Sequence, residues 1–105
     1  MQNSYLYSLP FEDKIKLIEN NQYLDIFAED PAYSIRMAIL EKGYALSKLV
    51  NDYNYFIRIG VAEKGYGLSK LINDPHEIVR NAVIRYCKEH QEKEECKNLL
   101  NLYNL

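Results

Sequence analysis

Lys14, Arg36, Arg58 and Arg80 recur at one interval, each 22 residues from the next. Cations in such a row, carried on stacked helices about 9 Å apart, could do either of two things. They could follow a phosphate backbone, with Lys42, Lys64, Arg85 and Lys88 widening the strip. They could instead hold the chain together. Asp30, Asp52 and Asp74 keep the same interval, and a guanidinium fork makes two parallel bonds to one carboxylate. An aspartate in register with each arginine favours the internal ladder.

The tyrosines form a second repeated set. The chain has 10 of them and no tryptophan. Tyr33 and Tyr55 stand one interval apart, as do Tyr44 and Tyr66. Aromatic side chains repeated along one side of a stack make a contact stripe. With Met37 and Ile59 beside them, these four are the candidate partner-binding residues. The alternative is that the rings pack between units and only their hydroxyls meet water.

Cys87, His90 and Cys96 raise the question of a metal. Cys87 and His90 share a helical face, and Glu89, Glu92 or Glu95 could assist. Paired Cys-x-x-Cys spacing is missing and no fourth ligand is specified. Cys96 reads better as core, so no metal and no cofactor is expected. Enzymatic signatures are absent: there is no Gly-x-Gly-x-x-Gly, no P-loop and no Gly-x-Ser-x-Gly. Gly65-Tyr66-Gly67 reads as a helix stop, and no catalytic residue is expected.

These residues are set by a period. Residues 30–51 and 52–73 are the same segment written twice, identical at 13 of 22 positions. A worn copy covers 8–29, and a half copy covers 74–87 before the pattern fades. Such a period marks a stack of small units, none able to bury its apolar face alone. Each unit divides into a long and a short helical piece. Asp30-Pro31 and Asp74-Pro75 read as N-cap followed by proline at the first helical position, with Glu77 completing a capping box. Gly43 and Gly65, and Asn21 in the worn copy, read as left-handed stops. The short pieces are 45–50 and 67–72.

Ile35 and Ile39, Ile57 and Val61, and Val79 and Val83 lie four apart, one buried stripe per long helix. Ala38, Gly60 and Ala82 are small where helices must approach. Residues 88–105 read as a C-terminal cap, with Cys96, Leu99, Leu100 and Tyr103 on its apolar face over 92–105. Tyr5, Leu6, Tyr7, Leu9 and Phe11 read as a lid at the front.

The pattern Asp-Pro-x-x-x-Ile/Val-Arg-x-x-Ile/Val, a glycine stop, then Leu-x-x-Leu-x-x-Asp resembles the leucine-rich repeat variant family, one of the short HEAT-like repeats. It rests on Asp30, Ile35, Arg36, Ile39, Leu46, Leu49 and their counterparts Asp52, Ile57, Arg58, Val61, Leu68, Leu71, with Asp74, Val79, Arg80 and Val83. The resemblance implies an all-α chain, an α-solenoid of alternating long and short helices in a right-handed superhelix. It also implies a binding scaffold. The cysteine cluster that holds an iron–sulfur centre in one member is absent here, so that cofactor does not carry over.

A 48% hydrophobic composition supports a folded core, and 105 residues make a single domain over 1–105. The net charge of −2 gives no bulk attraction for nucleic acid. No secretory leader and no membrane-length apolar run is legible, and two cysteines are too few for a disulfide framework. A cytoplasmic setting follows as the expectation. The expected function is non-enzymatic: a protein-binding module, acting as adaptor or as stoichiometric inhibitor of a larger protein such as a toxin or defence nuclease. Nucleic-acid binding through the Arg/Lys row is the alternative.

Overall fold

Left-handed backbone residues punctuate the chain at the 22-residue interval and cut it into helices. Asn21, Gly43 and Gly65 have φ of 59°, 72° and 76°, as the sequence predicts for stops at those positions. A second left-handed position follows two residues later, at Tyr23, Ala45 and Gly67 (φ 58°, 58° and 65°), and starts each short helix. Glycine takes that conformation freely; Tyr and Ala take it at a cost. With only one glycine of the three there, this second punctuation was hidden in the sequence.

The computed structural model describes residues 2–105. Met1, which the single-domain expectation includes, lies outside the described residues. These residues form nine helices and no strand: α1 (Gln2–Tyr7), α2 (Phe11–Glu19), α3 (Leu24–Phe27), α4 (Tyr33–Glu41), α5 (Leu46–Leu49), α6 (Tyr55–Glu63), α7 (Leu68–Leu71), α8 (Glu77–Glu89) and α9 (Glu94–Leu102). The long helices pack in chain order, α2 on α4, α4 on α6, α6 on α8 and α8 on α9. The short α3, α5 and α7 lie against the long helices beside them. The result is elongated, 49 × 25 × 18 Å. No described helix is long and apolar enough to cross a membrane.

The i, i+4 stripes form the core. Ile35, Ile39, Ile57, Val61, Val79 and Val83 are buried, faced by Phe27, Leu49, Leu68 and Leu71 from the short helices. Each such side chain contributes roughly 1.5–3 kcal/mol on burial. The final helix packs as an apolar cap through Cys96, Leu99 and Leu100. Cys87 and Cys96 are buried against each other as free thiols. Burial, with Cys96 and Glu95 nearby, pushes the Cys87 thiol up to about 12, so it stays protonated and behaves as core.

Several expectations are corrected. The helices do not begin at Asp-Pro. Ala32, Asn54 and His76 are the N-caps, two residues after each aspartate. The aspartates instead accept the N–H two residues on, at Ala32, Asn54 and His76, over 2.8, 2.9 and 2.9 Å. An aspartate tied into this Asx turn cannot also cap the helix. Glu77 is the first helical residue, not the partner in a capping box. Tyr103 lies one residue past α9, as its C-cap, and is 40% exposed, outside the buried set. Of the front lid, Leu6 is buried and Tyr7 donates to the Ile26 carbonyl at 3.0 Å, but Tyr5 and Phe11 are exposed.

The small position is not uniform along the stack. A Cβ added to Gly60 would lie 2.2 Å from Cδ2 of buried Leu40. Leu40 is matched by Ala62 one interval later, where the next small residue is Ala82. Between α4 and α6 a large residue therefore fills the space of a missing side chain. Two opposed terms act on Gly60→Ala. Alanine gains about 1 kcal/mol of helix propensity, whereas overpacking costs about 1–3 kcal/mol. Gly60→Ala should therefore destabilise the wild type. It should stabilise Leu40→Ala, where it refills a cavity that itself costs about 2–5 kcal/mol. Urea melts of the four proteins in this cycle check the point; the same sign in both backgrounds would refute the packing.

Candidate functional site

The cation row is the first site to locate, and its side chains turn inward. Arg36 donates from Nε and Nη2 to Asp52 at 2.7 and 3.2 Å, and from Nη1 to the Asp30 and Pro31 carbonyls at 2.7 and 3.2 Å. Arg58 repeats this on Asp74 at 2.7 and 3.2 Å and on the Asp52 carbonyl at 2.7 Å. Lys14 makes a single bond to Asp30 at 2.9 Å. Each pair spans 16 residues and joins one unit to the next. Burial alone would lower the Arg36 pKa, but the hydrogen bond and charge of Asp52, with Tyr53, outweigh it and raise it. The Tyr53 ring lies over the Arg36 guanidinium, 4.6 Å from its carbon to the centroid.

Arg80 departs from the pattern. It donates to the Asp74 carbonyl at 2.7 Å, but no carboxylate pairs with it among the described residues. The register would place one at residue 96, and residue 96 is a cysteine. Of the remaining cations of the sequence-derived row, Lys42, Lys64 and Lys88 are exposed at the C-terminal ends of the long helices, and Arg85 is exposed within α8. Arg85 stands 3.5 Å from Glu63. Beside the ladder runs a groove of about 570 Å³ between Asp30, Lys48, Asp52 and Tyr53. Its buried polar atoms are already paired, and among the described residues no buried side-chain N or O lacks a partner.

Tyr53 is the most exposed aromatic of that groove, and a further set of exposed apolar side chains lies on the outer face of the long helices. Tyr33 (45% exposed) and Phe56 (51%) stand open. With Met37 and Ile59 they flank a notch of about 420 Å³ between α4 and α6. Leu40 and Gly60 also line it, so the missing side chain that lets Leu40 in also shapes the surface. The same helical phase extends to α2: Lys14 and Ile18 are buried as Arg36 and Leu40 are. Phe11 and Ile15 therefore take the places of Tyr33 and Met37. Tyr55 is half-buried, its ring stacked 4.0 Å from His76 and 4.4 Å from Phe56.

The structure thus brings Tyr33, Met37, Tyr55 and Ile59 to one face. Tyr44 and Tyr66 sit past the other ends of α4 and α6. The Tyr44 hydroxyl donates to Asp25 at 3.1 Å, and that bond raises its pKa. Sequence reasoning missed Phe56 on this face, gave Phe11 to the front lid instead, and missed Ile15. Stepping the period back from Tyr33 and Met37 lands on the last two; Phe56 replaces Ser34 in the frame and breaks the period.

His90 is turned to Tyr86, with ring centroids 3.9 Å apart, away from any shared ligand role with Cys87 and Cys96. No group of three His, Cys, Asp or Glu that could hold a metal occurs among the described residues. No known protein family, curated protein or solved structure matches the chain.

The ladder yields two expectations. Arg58→Ala leaves Asp74 and a carbonyl unpaired, at a cost of about 1–3 kcal/mol, and Arg58→Lys recovers only part because an ammonium lacks the fork. Arg80→Ala loses one carbonyl bond, about 0.5–1.5 kcal/mol. Equal losses for the two alanine variants in thermal melts would contradict the pairing.

Acid provides the second test. Burial would raise the Asp74 pKa, but bonds from Arg58 and the His76 N–H, with the Arg58 charge, bring it below its usual 3.8. A carboxylate held low contributes stability above its unfolded pKa, lost as pH falls through the folded value. Asp74→Asn should therefore be less stable than wild type at pH 7, and the gap should close below roughly pH 4. Melting curves from pH 7 to about pH 2.5 measure that gap; a constant one would contradict the assignment.

Proposed function

We propose that this chain is a protein-binding α-solenoid, a non-enzymatic adaptor or stoichiometric inhibitor that docks on a larger protein. The uncovered apolar face of α2, α4 and α6, with its notch at Tyr33, Met37, Phe56 and Ile59, carries this reading. Half-exposed aromatic and aliphatic side chains around a shallow depression are what a protein interface centres on. The packing of long helices in chain order supports the solenoid, as does the recurrence of each turn at the 22-residue interval. The resemblance to the leucine-rich repeat variant family rests on the residue pattern repeated at Asp30, Arg36, Leu46 and Leu49 and their counterparts, and a right-handed superhelix is proposed with it.

The inward turn of Arg36 and Arg58 favours a protein partner over phosphate. A guanidinium already paired with a carboxylate at 2.7 Å has little left for a backbone phosphate. The exposed Lys42, Lys64 and Lys88 each neighbour a glutamate in sequence. That interleaving suits a solvated surface better than a counterion-releasing strip.

Immobilised protein should retain a partner from native lysate in stoichiometric amount, and the Tyr33→Ala/Phe56→Ala variant should lose it with little change in melting. Mass spectrometry of both eluates checks this. No partner above background, or an eluate indifferent to the double substitution, counts against the proposal. Oligonucleotide binding that weakens steeply with salt would favour the Arg/Lys row instead.

A further inference from the structure

The three helices of the proposed face each carry the same triplet at i, i+4 and i+8: Phe11-Ile15-Glu19, Tyr33-Met37-Glu41 and Tyr55-Ile59-Glu63. Residues so spaced share one side of a helix. Because α2 packs on α4 and α4 on α6, the triplets align into three rows. Two rows are apolar, and the third is a line of exposed carboxylates along one margin. Glu41 and Glu63 themselves line the notch.

The fourth helix ends the pattern. In α8 the matching residues are Glu77, Asn81 and Arg85, so the apolar rows stop and the charge at the margin reverses. Arg85 takes the side of Glu63 at 3.5 Å, with both side chains more than half exposed. Lys42 and Lys64 follow Glu41 and Glu63 by one residue, about 100° further round each helix, and Lys64 reaches the end of the notch. Glu19 and Glu41 have no cation within ion-pair distance among the described residues.

We propose that the face formed by α2, α4 and α6 receives a basic amphipathic helix of the partner protein, its apolar side on the aromatic and aliphatic rows and its lysines or arginines along Glu19, Glu41 and Glu63. The dimensions agree. Neighbouring helices stack about 8–10 Å apart, and seven residues of α-helix advance about 10.5 Å. A helix lying across the stack therefore offers an apolar residue to each of the three helices once per heptad. About 18 residues suffice to cross all three. Attraction of opposite charge along the margin fixes its direction and excludes acidic helices. The inference rests on the protein-binding reading and specifies the chemistry of its occupant.

The probe is a fluorescein-labelled 18-residue helical peptide of leucine and lysine, leucines at i, i+3, i+4 and i+7, with a leucine/glutamate counterpart (about the length derived above). Anisotropy titrations should show saturable 1:1 binding of the leucine/lysine peptide and none of the leucine/glutamate peptide. Glu19→Lys/Glu41→Lys/Glu63→Lys should weaken binding by about tenfold or more, and Tyr33→Ala/Phe56→Ala should weaken it comparably. Glu89→Lys/Glu92→Lys/Glu94→Lys changes net charge equally but lies off the face, and should leave affinity near wild type. Equal loss in that control, equal binding of both peptides, or no saturable binding would overturn the proposal. If the peptide arm fails while Tyr33→Ala/Phe56→Ala still releases the lysate partner, the occupant is wrong and the face stands. If that variant also leaves the lysate partner bound, the face itself is wrong.

Discussion

One carboxylate per unit meets two demands, and the rest of the chain is arranged around it. Asp52 receives the fork of Arg36 on both oxygens and the N–H of Asn54 on one. Asp74 does the same for Arg58 and His76. The first set of bonds joins a unit to its predecessor; the second shapes the turn that starts the next long helix. Burying an ion pair carries a desolvation penalty that the Coulomb attraction repays only when the remaining donors and acceptors are satisfied. Here they are: the third arginine nitrogen finds a turn carbonyl, and the aspartate's free lone pair finds a backbone N–H. The bonds are directional, so they fix the offset between units where the apolar stripe alone would tolerate sliding.

The ladder also shows how the stack terminates. At the front, a lysine with one bond replaces the two-bond arginine. At the back, no glycine interrupts α8, which runs 13 residues where α4 and α6 run 9. The chain then returns as α9, Cys96 packs against Cys87, and no carboxylate reaches Arg80 among the described residues. Apolar closure replaces ionic closure at that end. A raised thiol pKa is the expected companion of such burial, and it argues for a packing role for the pair.

Legibility in the sequence followed the periodicity of each feature. The buried stripe of Ile35 and Ile39 and its copies was readable because burial demands the same residue class at the same offset each time. Arg36 and Arg58 with their aspartates were readable for the same reason. The helix starts were misread because Asp-Pro satisfies two local rules at once; the N-cap rule lost to the Asx turn that the ion pair requires. The second left-handed residue was unreadable at Tyr23 and Ala45, since nothing in those side chains announces a positive φ. The exchange of space between Leu40 and Gly60 was invisible because each residue alone fits its own helix; only the contact between two units reveals it.

The buried ladder and stripe recur with the period, and so do several exposed residues: Glu41, Lys42, Tyr44, Ser47, Lys48 and Asn51 match Glu63, Lys64, Tyr66, Ser69, Lys70 and Asn73. Arginine, aspartate and the isoleucine–valine stripe recur because each copy must meet an identical neighbour. Ser34, Phe56 and Ile78 occupy one register and differ completely, and the latter two are about half exposed. Stacking places no demand on such positions. Large apolar side chains that packing neither needs nor covers lose free energy in water unless something else buries them. Phe56 and Ile78 are such side chains, and Phe56 lines the notch between α4 and α6.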